Sequence, residues 1–455
     1  MSDTADHLVK VPKPATRKQL AVLVVVTVGL VLAFWVSITL ISPVTRSPNE
    51  PWTYSLARMC GLGAGFFVLL QYAMSGRVKW LDRIFGLDRL LKVHRVTAVT
   101  AAVLATLHPV LMYPKVLNHL LNPSLSHWPF FLGPILLVSL WGTIVGGLWR
   151  EQLGLSFERW WLLHRIGTAA AVIILALHVL NVTPDFAAGW PRCLLLGILA
   201  VYAGFYARNK LVKPRQLKKD ASFSVSGVES TGNDDVTLVS LAPRQDKVFP
   251  YLPGQFAFVR FDSDSLPDEE HHFTLSSPPT WRDRLLYTIK CSGDFSCAVS
   301  ALKEGDGAVL DGPYGLFSHT AQAGKGQELV MVAGGIGVTP FLSMLRYMAD
   351  TGDERTVTLI WSNHTETDIV CPGEVKELEE RLPGLRVIHV MTRQKEWHGP
   401  TGHVDRSMLE SLLKESDRGA CCLVCGPPAM MDAATAALAA LGYDPGAIHT
   451  ERFAL

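Results

Sequence analysis

The sequence lacks the cysteine pattern of a disulfide-stabilised secreted domain. Its eight cysteines show no framework spacing, which is typical of thiols that face a reducing compartment. Cys422 and Cys425 form a C-x-x-C pair, but they lie in an apolar run without a second pair. A buried strand is therefore expected there rather than a metal knuckle. A plant-type C-x4-C-x2-C run is also absent, which excludes a fused iron–sulfur module of that type.

The chain also lacks an excess of either charge, and its formal net charge is +1. The chain has 42 Lys and Arg against 41 Asp and Glu, and it has no basic patch with interleaved aromatic residues. Nucleic acid is therefore not indicated as a partner. No EF-hand loop precedes the first apolar stretch, so calcium control is not indicated either. What is abundant is apolar sequence, at 49% of 455 residues, beside 18% charged residues, and this mixture indicates a membrane half joined to a soluble half.

Six apolar stretches are each about as long as the ~20 residues that cross a bilayer. They lie at about 19–42, 54–75, 88–113, 129–149, 158–181 and 189–207. Lys and Arg concentrate after the second, fourth and sixth stretches, whereas the opposite loops hold few of them. By the positive-inside rule both termini are cytoplasmic. We expect an integral, multi-pass protein of a bacterial inner membrane.

Four histidines in the third and fifth stretches repeat a spacing of fourteen residues, and they are His94, His108, His164 and His178. Fourteen helical residues rise roughly 21 Å and return to within about 40° of the same face. Each helix therefore presents two imidazoles at two depths. Because the two stretches run parallel, His94 pairs with His164 on the inner side and His108 with His178 on the outer side. An ordinary hydrogen-bonded histidine is the alternative for any one of them, although ionisable residues inside a membrane are functional by default.

The available ligands favour haem over other metal sites. No Cys, Asp or Glu lies in register with the four imidazoles, so a zinc or carboxylate di-iron site has too few ligands. Two axial histidines for each haem fit the count. The pattern predicts two haems b of a six-coordinate kind that carries electrons rather than binding a substrate at iron.

After residue 208 the composition changes to that of a soluble α/β protein. Residues 221–318 contain short β-rich runs, such as 256–261 and 285–290, as in a small barrel. From residue 327 the pattern becomes strand, glycine turn, helix and strand, which predicts a parallel nucleotide-binding sheet. The expected domains are a cytoplasmic tail at 1–18, a six-helix haem-binding bundle at 19–207, an FAD-binding β-barrel at 208–324 and an α/β nucleotide-binding domain at 325–455.

Two glycine turns follow strands in the last domain. Gly334-Gly-Ile-Gly ends an apolar strand, and Thr339-Pro then opens a helix. Missing side chains let the backbone approach a pyrophosphate, to which the helix N-terminus supplies amide donors. A tight structural turn is the alternative. Cys425-Gly-Pro-Pro places a second loop at the same carboxyl edge of the sheet, where ligands collect.

Three motifs of the barrel segment suit a flavin. Hydroxyls and backbone amides at strand ends match a flavin ring and its phosphate, although periodicity alone makes the first motif an ordinary strand. The motifs are His271-His-Phe-Thr-Leu-Ser-Ser, Gly293-Asp-Phe-Ser and Asp311-Gly-Pro-Tyr-Gly.

Together these residues resemble the ferric reductase and NADPH oxidase superfamily, from the second apolar stretch to Leu455. The His271 motif is similar to the family's His-Pro-Phe-Thr-[Leu/Ile]-[Ser/Thr]-Ser, with His272 in place of proline. Pro253-Gly-Gln-Phe and the terminal Glu451-Arg-Phe look like ferredoxin-reductase-type domains. The resemblance implies a ferric reductase-like transmembrane domain fused to an FAD and NAD(P)H domain. Met112 departs from the animal oxidases, which have a second polar histidine there.

The resemblance also implies roles for residues. Arg58 would lie near the outer haem, with an interfacial position as the alternative. Phe453 would lie against the isoalloxazine until nicotinamide displaces it, and Arg393 is the nearest candidate for a 2′-phosphate, which favours NADPH over NADH. The residues implied to line the flavin are His271, Phe273, Thr274 and Ser276, with Gly293 and Ser296 at its phosphate side. Those implied to hold the nicotinamide nucleotide are Gly334, Gly335, Gly337, Thr339, Cys425 and Pro427.

The predicted activity is electron transfer from cytoplasmic NAD(P)H through FAD and two haems to an extracytoplasmic acceptor, either oxygen, giving superoxide, or ferric iron. A flavin is needed because hydride carries two electrons and haem takes one. The expected partners are membrane lipid and a small-molecule acceptor, with no obligatory protein partner. The alternatives are a membrane-anchored flavin reductase that supplies a protein partner, and a haem-less bundle that carries a reductase.

Overall fold

The computed structural model describes residues 52–113, 128–182, 189–231, 235–245 and 248–452, together with Leu121 and Phe186. The predicted tail, the first predicted span and Phe453 lie outside these residues. The chain divides into two compact units. In the described part of the chain, the membrane-helix unit consists of residues 52–81 and Arg89–Val212. The reductase unit consists of Asp82–Asp88 and the residues from Lys213 onward.

Five helices in the described residues are long and apolar enough to cross a membrane. They correspond to the second to sixth predicted spans. Their exposed surface is rich in apolar side chains such as Val138, Ile173 and Val201, as expected where acyl chains replace water. The helices are α1 (Trp52–Ser75), the short α2 (Lys79–Phe85), α3 (Leu87–Leu111), α4 (Trp128–Leu148), α5 (Phe157–Val182) and α6 (Gly189–Ala207).

Small side chains let these helices pack closely. Ala101 of α3 and Ala171 of α5 are almost completely buried, in a cluster with Val68, Leu136 and Leu175. Between helices surrounded by lipid, close van der Waals packing takes over the role that the hydrophobic effect has in water. The last span continues through a π-helical turn (Arg208–Val212) into α7 (Lys213–Asp220), where the sequence becomes basic.

The predicted barrel is confirmed as a six-stranded antiparallel sheet of order β4-β3-β6-β1-β2-β5. A bridge between Leu275 and Tyr287 joins the first and last strands of this order and closes the barrel. Alternate residues such as Val239 and Leu241 fill its interior. The elements are β1 (Ser222–Ser230), β2 (Val236–Pro243), β3 (Phe256–Asp262), β4 (His271–Thr274), β5 (Leu285–Lys290), α8 (Asp294–Ala298), β6 (Gly307–Tyr314) and α9 (His319–Gln322).

The predicted nucleotide-binding sheet is also confirmed, with five parallel strands in the order β11-β10-β7-β8-β9. Helices cover both faces, so every residue of β7, β8 and β10 is buried, as a doubly covered parallel sheet requires. The elements are β7 (Leu329–Gly334), α10 (Thr339–Thr351), β8 (Val357–Asn363), α11 (Pro372–Arg381), β9 (Leu385–Met391), α12 (Arg406–Leu412), β10 (Cys421–Cys425), α13 (Pro428–Ala440) and β11 (Ile448–Glu451).

The cysteines give one confirmation and one correction. Cys422 and Cys425 lie fully buried in β10, as expected of a strand rather than a metal knuckle. The expectation that no disulfide forms is wrong for Cys291 and Cys297, which are joined by a disulfide. Cys291 follows β5 and Cys297 lies in α8, and the tight turn between them brings their Cα atoms within 4.2 Å. A spacing of six residues carries no such signal on its own.

Candidate functional site

The two predicted inner ligands lie close together, with their ring planes tilted by 60°. The ring centroids of His94 on α3 and His164 on α5 are 6.4 Å apart. A metal–imidazole bond is about 2 Å, so two rings that share one metal have centres roughly 6 Å apart. The pair therefore fits one metal ion between its rings. Among the described residues no group of three or more His, Cys, Asp or Glu could hold a metal.

Backbone carbonyls orient three of the four imidazoles. A carbonyl oxygen only accepts, so each Nδ1 carries the proton and donates it, and each Nε2 keeps a free lone pair. This tautomer and this carbonyl contact are typical of metal-bound histidine. The Nδ1-to-oxygen distances are 3.3 Å from His94 to Gln71, 2.7 Å from His108 to Ala57 and 3.3 Å from His178 to Pro129.

Glycines make room for the two outer imidazoles. A Cβ atom at Gly61 of α1 would lie 2.9 Å from Nδ1 of His108, and one at Gly133 of α4 would lie 3.3 Å from Cε1 of His178. Larger residues at these positions would push the rings away. Arg58 is half-buried on α1, one residue after the Ala57 carbonyl that orients His108, and its role at an outer haem remains a prediction.

A cleft with small and apolar walls adjoins the inner histidine. It is lined by residues of α4 and α5, including Thr143, Gly146 and Trp160, and His164 is part of its wall. The Trp161 ring is nearly parallel to the His164 ring, with centroids 6.3 Å apart. The His164 Nδ1 atom is buried without a hydrogen-bond partner in the described part of the chain. A planar hydrophobic group held through the imidazole suits this surface.

A pocket beside the end of β4 contains two unsatisfied polar atoms. Oγ1 of Thr274 and Oε2 of Glu451 are both buried with no hydrogen-bond partner among the described residues. Both residues line the pocket, together with Phe256, His272 and Gly315. Buried polar atoms are nearly always paired in folded proteins, so unpaired ones in a pocket indicate a missing ligand.

Alternate side chains of strand β4 point to opposite faces of the sheet. His271 and Phe273 stack on Phe295, with ring centroids 3.8 Å and 6.4 Å from it. His272 lies 5.8 Å from the ring of Phe256 and lines the pocket with Thr274. Of the residues that the resemblance assigned to the flavin, Thr274 is thus the one in this pocket. The period-two alternation of a strand is the signal that finds His272.

The hydroxyl of Ser276 has partners within the barrel. Ser276 is completely buried, and its Oγ donates to the Leu286 carbonyl oxygen at 2.9 Å and lies 3.0 Å from the Thr288 hydroxyl. Its predicted contact with the flavin stays a prediction. The hydroxyl of Ser296 accepts the amides of Ser292 and Gly293 at 2.9 and 3.0 Å, which shapes the turn predicted to meet the flavin phosphate.

Two buried carboxyl groups are associated with this pocket, because Glu451 lines it and Asp82 bonds the amide of Gly315, which also lines it. Asp82 of α2 accepts the backbone N–H groups of Leu87 at 2.9 Å and Gly315 at 3.2 Å, and burial raises its pKa to about 6. Burial, with the neighbouring carboxyl groups of Asp88 and Asp82, raises the pKa of Glu451 well above its usual value. Burial therefore favours the neutral carboxylic acid of Glu451 over its carboxylate. Sequence reasoning missed Asp82, because 233 residues separate it from Gly315.

The two glycine turns meet at one edge of the parallel sheet, as predicted. Strands β7 and β10 are neighbours, and Cys425 pairs with Ala333. A Cβ atom at Gly337 would lie 2.5 Å from the Cys425 carbonyl oxygen, and one at Gly334 would lie 2.7 Å from Cδ of Pro427. Close packing thus requires the glycines, while Gly335, at φ 51°, supplies the left-handed turn.

Side chains hold this edge in place. Nε1 of Trp361 donates to the Gly335 carbonyl oxygen at 3.0 Å. The hydroxyl of Thr339 donates to the Ile336 carbonyl oxygen at 3.1 Å. Burial raises the pKa of the Cys425 thiol well above its ordinary value, so this cysteine packs as a thiol rather than acting as a thiolate nucleophile.

Basic side chains lie at the ends of the next two strands. The Arg393 amide donates to the His364 carbonyl oxygen at 2.9 Å, and both side chains are exposed. Nδ1 of His364 lies 2.9 Å from the hydroxyl of Thr392. The side-chain amide of Asn363, the last residue of β8, is buried without a hydrogen-bond partner in the described structure. The predicted contact of Arg393 with a 2′-phosphate stays a prediction. The sequence analysis did not single out Asn363.

Comparisons with known proteins give two family matches. Residues 60–176 match the ferric reductase like transmembrane component, and residues 331–436 match the oxidoreductase NAD-binding domain. NADH-cytochrome b5 reductase 1 of Mortierella alpina is 33% identical over 255 residues, which cover 54% of this chain and 84% of that protein. The propane 2-monooxygenase reductase component of Mycolicibacterium goodii is 29% identical over 225 residues, 48% of this chain and 62% of that protein.

Among solved structures, the cytochrome b5 reductase domain of Ulva prolifera nitrate reductase is 22% identical, with a TM-score of 0.45, and the match covers 51% of this chain and 96% of that domain. Flavohemoglobin from Malassezia yamatoensis, solved with bound FAD and heme, is 18% identical with a TM-score of 0.49. That match covers 89% of this chain and 99% of the flavohemoglobin.

Proposed function

Because this chain belongs to the NAD(P)H-dependent oxidoreductases that fuse a ferric reductase-like transmembrane domain to a ferredoxin-reductase-type domain, we propose that it carries electrons across a membrane. The donor is cytoplasmic NAD(P)H, and the route passes through FAD and two bis-histidine haems to an acceptor on the other side. The observation that carries this proposal is the pairing of His94 with His164, 6.4 Å apart, together with carbonyl-bound Nδ1 atoms on both outer histidines.

The two histidine pairs are the residues that would hold the haems. His94 and His164 would hold the inner iron through Nε2, and His108 and His178 the outer iron, while the carbonyl contacts keep three of the rings in the required tautomer. When bound, haem b supplies one-electron transfer without an open coordination site. The surrounding helices exclude water and set the depth of each ligand.

The reductase residues divide the remaining tasks. When bound, FAD accepts a two-electron hydride and releases electrons singly. Thr274 and Glu451 would hydrogen-bond the polar edge of the ring, and these bonds would fix its orientation. The Gly334 and Gly426 turns would hold the nucleotide at the sheet edge. Arg393 and His364 would attract a 2′-phosphate, which favours NADPH over NADH.

The proposed outer haem would reduce more than one kind of acceptor. His108 and His178 would both hold the outer iron, which would leave no position at the iron for oxygen or a chelate, so an acceptor would be reduced at the edge of the haem ring. One electron converts oxygen to superoxide, and one electron converts a ferric chelate to its ferrous form. The edge is therefore expected to serve both acceptors.

Haem content after histidine replacement tests the pairing. Purified full-length protein should contain two low-spin haems per chain. His108→Leu or His178→Leu should remove one of them and leave an inner haem that NADPH reduces under anaerobic conditions. His398→Leu, at an exposed position of the reductase unit, is the control and should keep both. Full haem content in the His108 and His178 variants would contradict the assignment, as would a carbon monoxide complex of the reduced protein.

The second candidate is a membrane-anchored flavin reductase that passes electrons to a protein partner. It is favoured by the similarity to reductase components of monooxygenase systems. Purified protein that retains FAD, oxidises NADPH and contains no haem after haem-supplemented expression would support this candidate over the transmembrane route.

A further inference from the structure

The disulfide between Cys291 and Cys297 encloses a functional turn of the barrel. Cys291 follows β5 and is half-buried, whereas Cys297 in α8 is exposed, so reagents in solution reach the bond. The enclosed residues include Gly293 and Ser296, the pair assigned to the phosphate side of the flavin. The covalent bond therefore limits the conformations of this turn directly.

Hydrogen bonds continue the constraint through the enclosed turn. The hydroxyl of Ser296 accepts the amides of Ser292 and Gly293, at 2.9 and 3.0 Å, and donates to the Gly293 carbonyl oxygen at 3.0 Å. The amide of Cys297 donates to the same carbonyl oxygen at 2.9 Å. At the other end, the amide of Cys291 donates to the Asp235 carbonyl oxygen at 2.7 Å.

The turn is also coupled to the flavin motif. Phe295, in the middle of the enclosed segment, is buried and stacks on His271 of β4 with ring centroids 3.8 Å apart. It also packs against Phe261 and Phe273, each 6.4 Å away. A change in the turn therefore reaches the strand that ends at Thr274 in the pocket.

The remaining cysteines of the described chain are poor targets for an oxidant. Cys60, Cys421, Cys422 and Cys425 are buried. Cys371 is partly buried, and burial raises the pKa of its thiol to about 11. Cys193 is exposed on the membrane helix α6. In the described part of the reductase unit, Cys291 and Cys297 thus combine solvent access with a partner at bonding distance.

We propose that Cys291 and Cys297 form a reversible dithiol–disulfide site that controls the affinity of the barrel for FAD. This inference rests on the proposed function for the identity of the ligand. The oxidant is a peroxide. One thiol loses its proton, the resulting thiolate attacks a peroxide oxygen, the O–O bond breaks, and the leaving hydroxide takes up that proton, so that a sulfenic acid and one water form. The second thiolate attacks the sulfenic sulfur, the S–O bond breaks and a second water leaves, so two electrons pass from the two sulfurs to hydrogen peroxide.

The disulfide form is the one that binds FAD more tightly. A closed loop loses less conformational entropy when a ligand orders it, because part of its freedom has already been removed. Reduction by a dithiol frees the turn and its contact with β4. We expect the Kd for FAD to rise about tenfold on reduction.

The test uses full-length protein in detergent, treated with hydrogen peroxide or with dithiothreitol. Peptide mass spectrometry should show that the 291–297 segment loses two hydrogens on oxidation and regains them on reduction. Titration of flavin-depleted protein with FAD, followed by flavin fluorescence, should show the lower Kd in the oxidised form. Cys291→Ser and Cys297→Ser should bind FAD like the reduced form under both treatments, whereas Cys193→Ser should respond like the unmodified chain.

The outcomes separate this inference from the proposed function. Equal FAD affinity in the two redox forms, or a pair that peroxide does not oxidise, overturns the inference and leaves the proposed function standing. No FAD binding in either form overturns the proposed function and, with it, the role of the disulfide. Because the unmodified chain is compared in two redox states, the comparison does not depend on the folding of a variant.

Discussion

At the scale of single residues, His319 is a buried base whose ring has no hydrogen-bond partner in the described structure. It lies in α9 with 1% of its surface exposed, and neither ring nitrogen is paired. Burial, reinforced by the nearby charge of Arg355, lowers its pKa to about 3, while Asp353 opposes the shift. His319 therefore stays neutral in the folded chain across the pH range in which an exposed histidine gains its proton.

This difference predicts acid sensitivity. Between about pH 6.5 and the folded-state value of about 3, the unfolded chain binds a proton at His319 that the folded chain does not. Stability is therefore lost as the pH falls through this window, with a slope of up to about 1.4 kcal/mol per pH unit. His319→Leu should reduce the acid slope of the unfolding midpoint, measured by tryptophan fluorescence. The exposed control His398→Leu should keep it, and equal slopes for both variants would contradict the prediction.

Arg346 connects three elements through one guanidinium. It is buried on α10, and its Nε and Nη2 atoms donate to the Glu374 carboxylate of α11 at 2.5 and 2.6 Å. Its Nη1 atom donates to the Ser276 carbonyl oxygen at 2.5 Å. The segment that follows β4 is therefore tied to helix α10 of the nucleotide-binding domain.

We expect Arg346→Lys to lower the free energy of unfolding by about 2–4 kcal/mol, because an ammonium cannot reproduce the two-pronged contact and the carbonyl bond together. Arg381→Lys is a matched control, since Arg381 pairs with Asp350 at 3.0 Å but is half exposed. Its expected cost is below about 1 kcal/mol. Urea unfolding of the full-length protein in detergent measures both, and equal costs would count against the role of Arg346.

At the scale of elements, the nucleotide edge depends on two turns that touch. The β7 turn passes so close to the β10 turn that Gly337 has no space for a side chain. Under the proposed function, the same contact would determine how far the backbone amides stand from a bound pyrophosphate. A change here should therefore affect binding as well as stability.

Gly337→Ala should raise the KM for NADPH at least about tenfold, because a Cβ 2.5 Å from the Cys425 carbonyl oxygen forces the two turns apart. The expected loss of folding stability is about 1–3 kcal/mol. Gly373→Ala in α11 is the control, since a Cβ there meets nothing within 4 Å. Steady-state kinetics and thermal unfolding distinguish the two, and an unchanged KM for Gly337→Ala would remove this turn from the site.

At the scale of the whole molecule, the charge distribution predicts where electrons enter. The basic loops and the reductase unit follow the same set of apolar spans, so NADPH should act from the cytoplasmic side. In sealed right-side-out vesicles, external NADPH should reduce no haem. After permeabilisation with detergent the same vesicles should show rapid reduction. Rapid reduction in intact vesicles would reverse the predicted topology.

The sequence by itself determined what depends on local periodicity and composition. Apolar stretches of bilayer length correspond to the five membrane-length helices of the described chain. Alternating apolar runs at 256–261 and 285–290 became strands β3 and β5, and the glycine turn after β7 opened α10 as expected. These features are readable because each depends on side chains within one turn or one strand. The fourteen-residue histidine spacing likewise needs only the geometry of a helix.

Tertiary structure alone decided the contacts between distant segments. It placed Asp82 on the Gly315 amide and tied Arg346 to Ser276. In one pocket it left Oγ1 of Thr274 and Oε2 of Glu451 without a hydrogen-bond partner among the described residues. It also closed the Cys291–Cys297 disulfide, although composition suggested free thiols. The physical reason is that such pairings depend on strand order, register and burial, which arise when the whole unit folds and leave no pattern in the neighbouring residues of the chain.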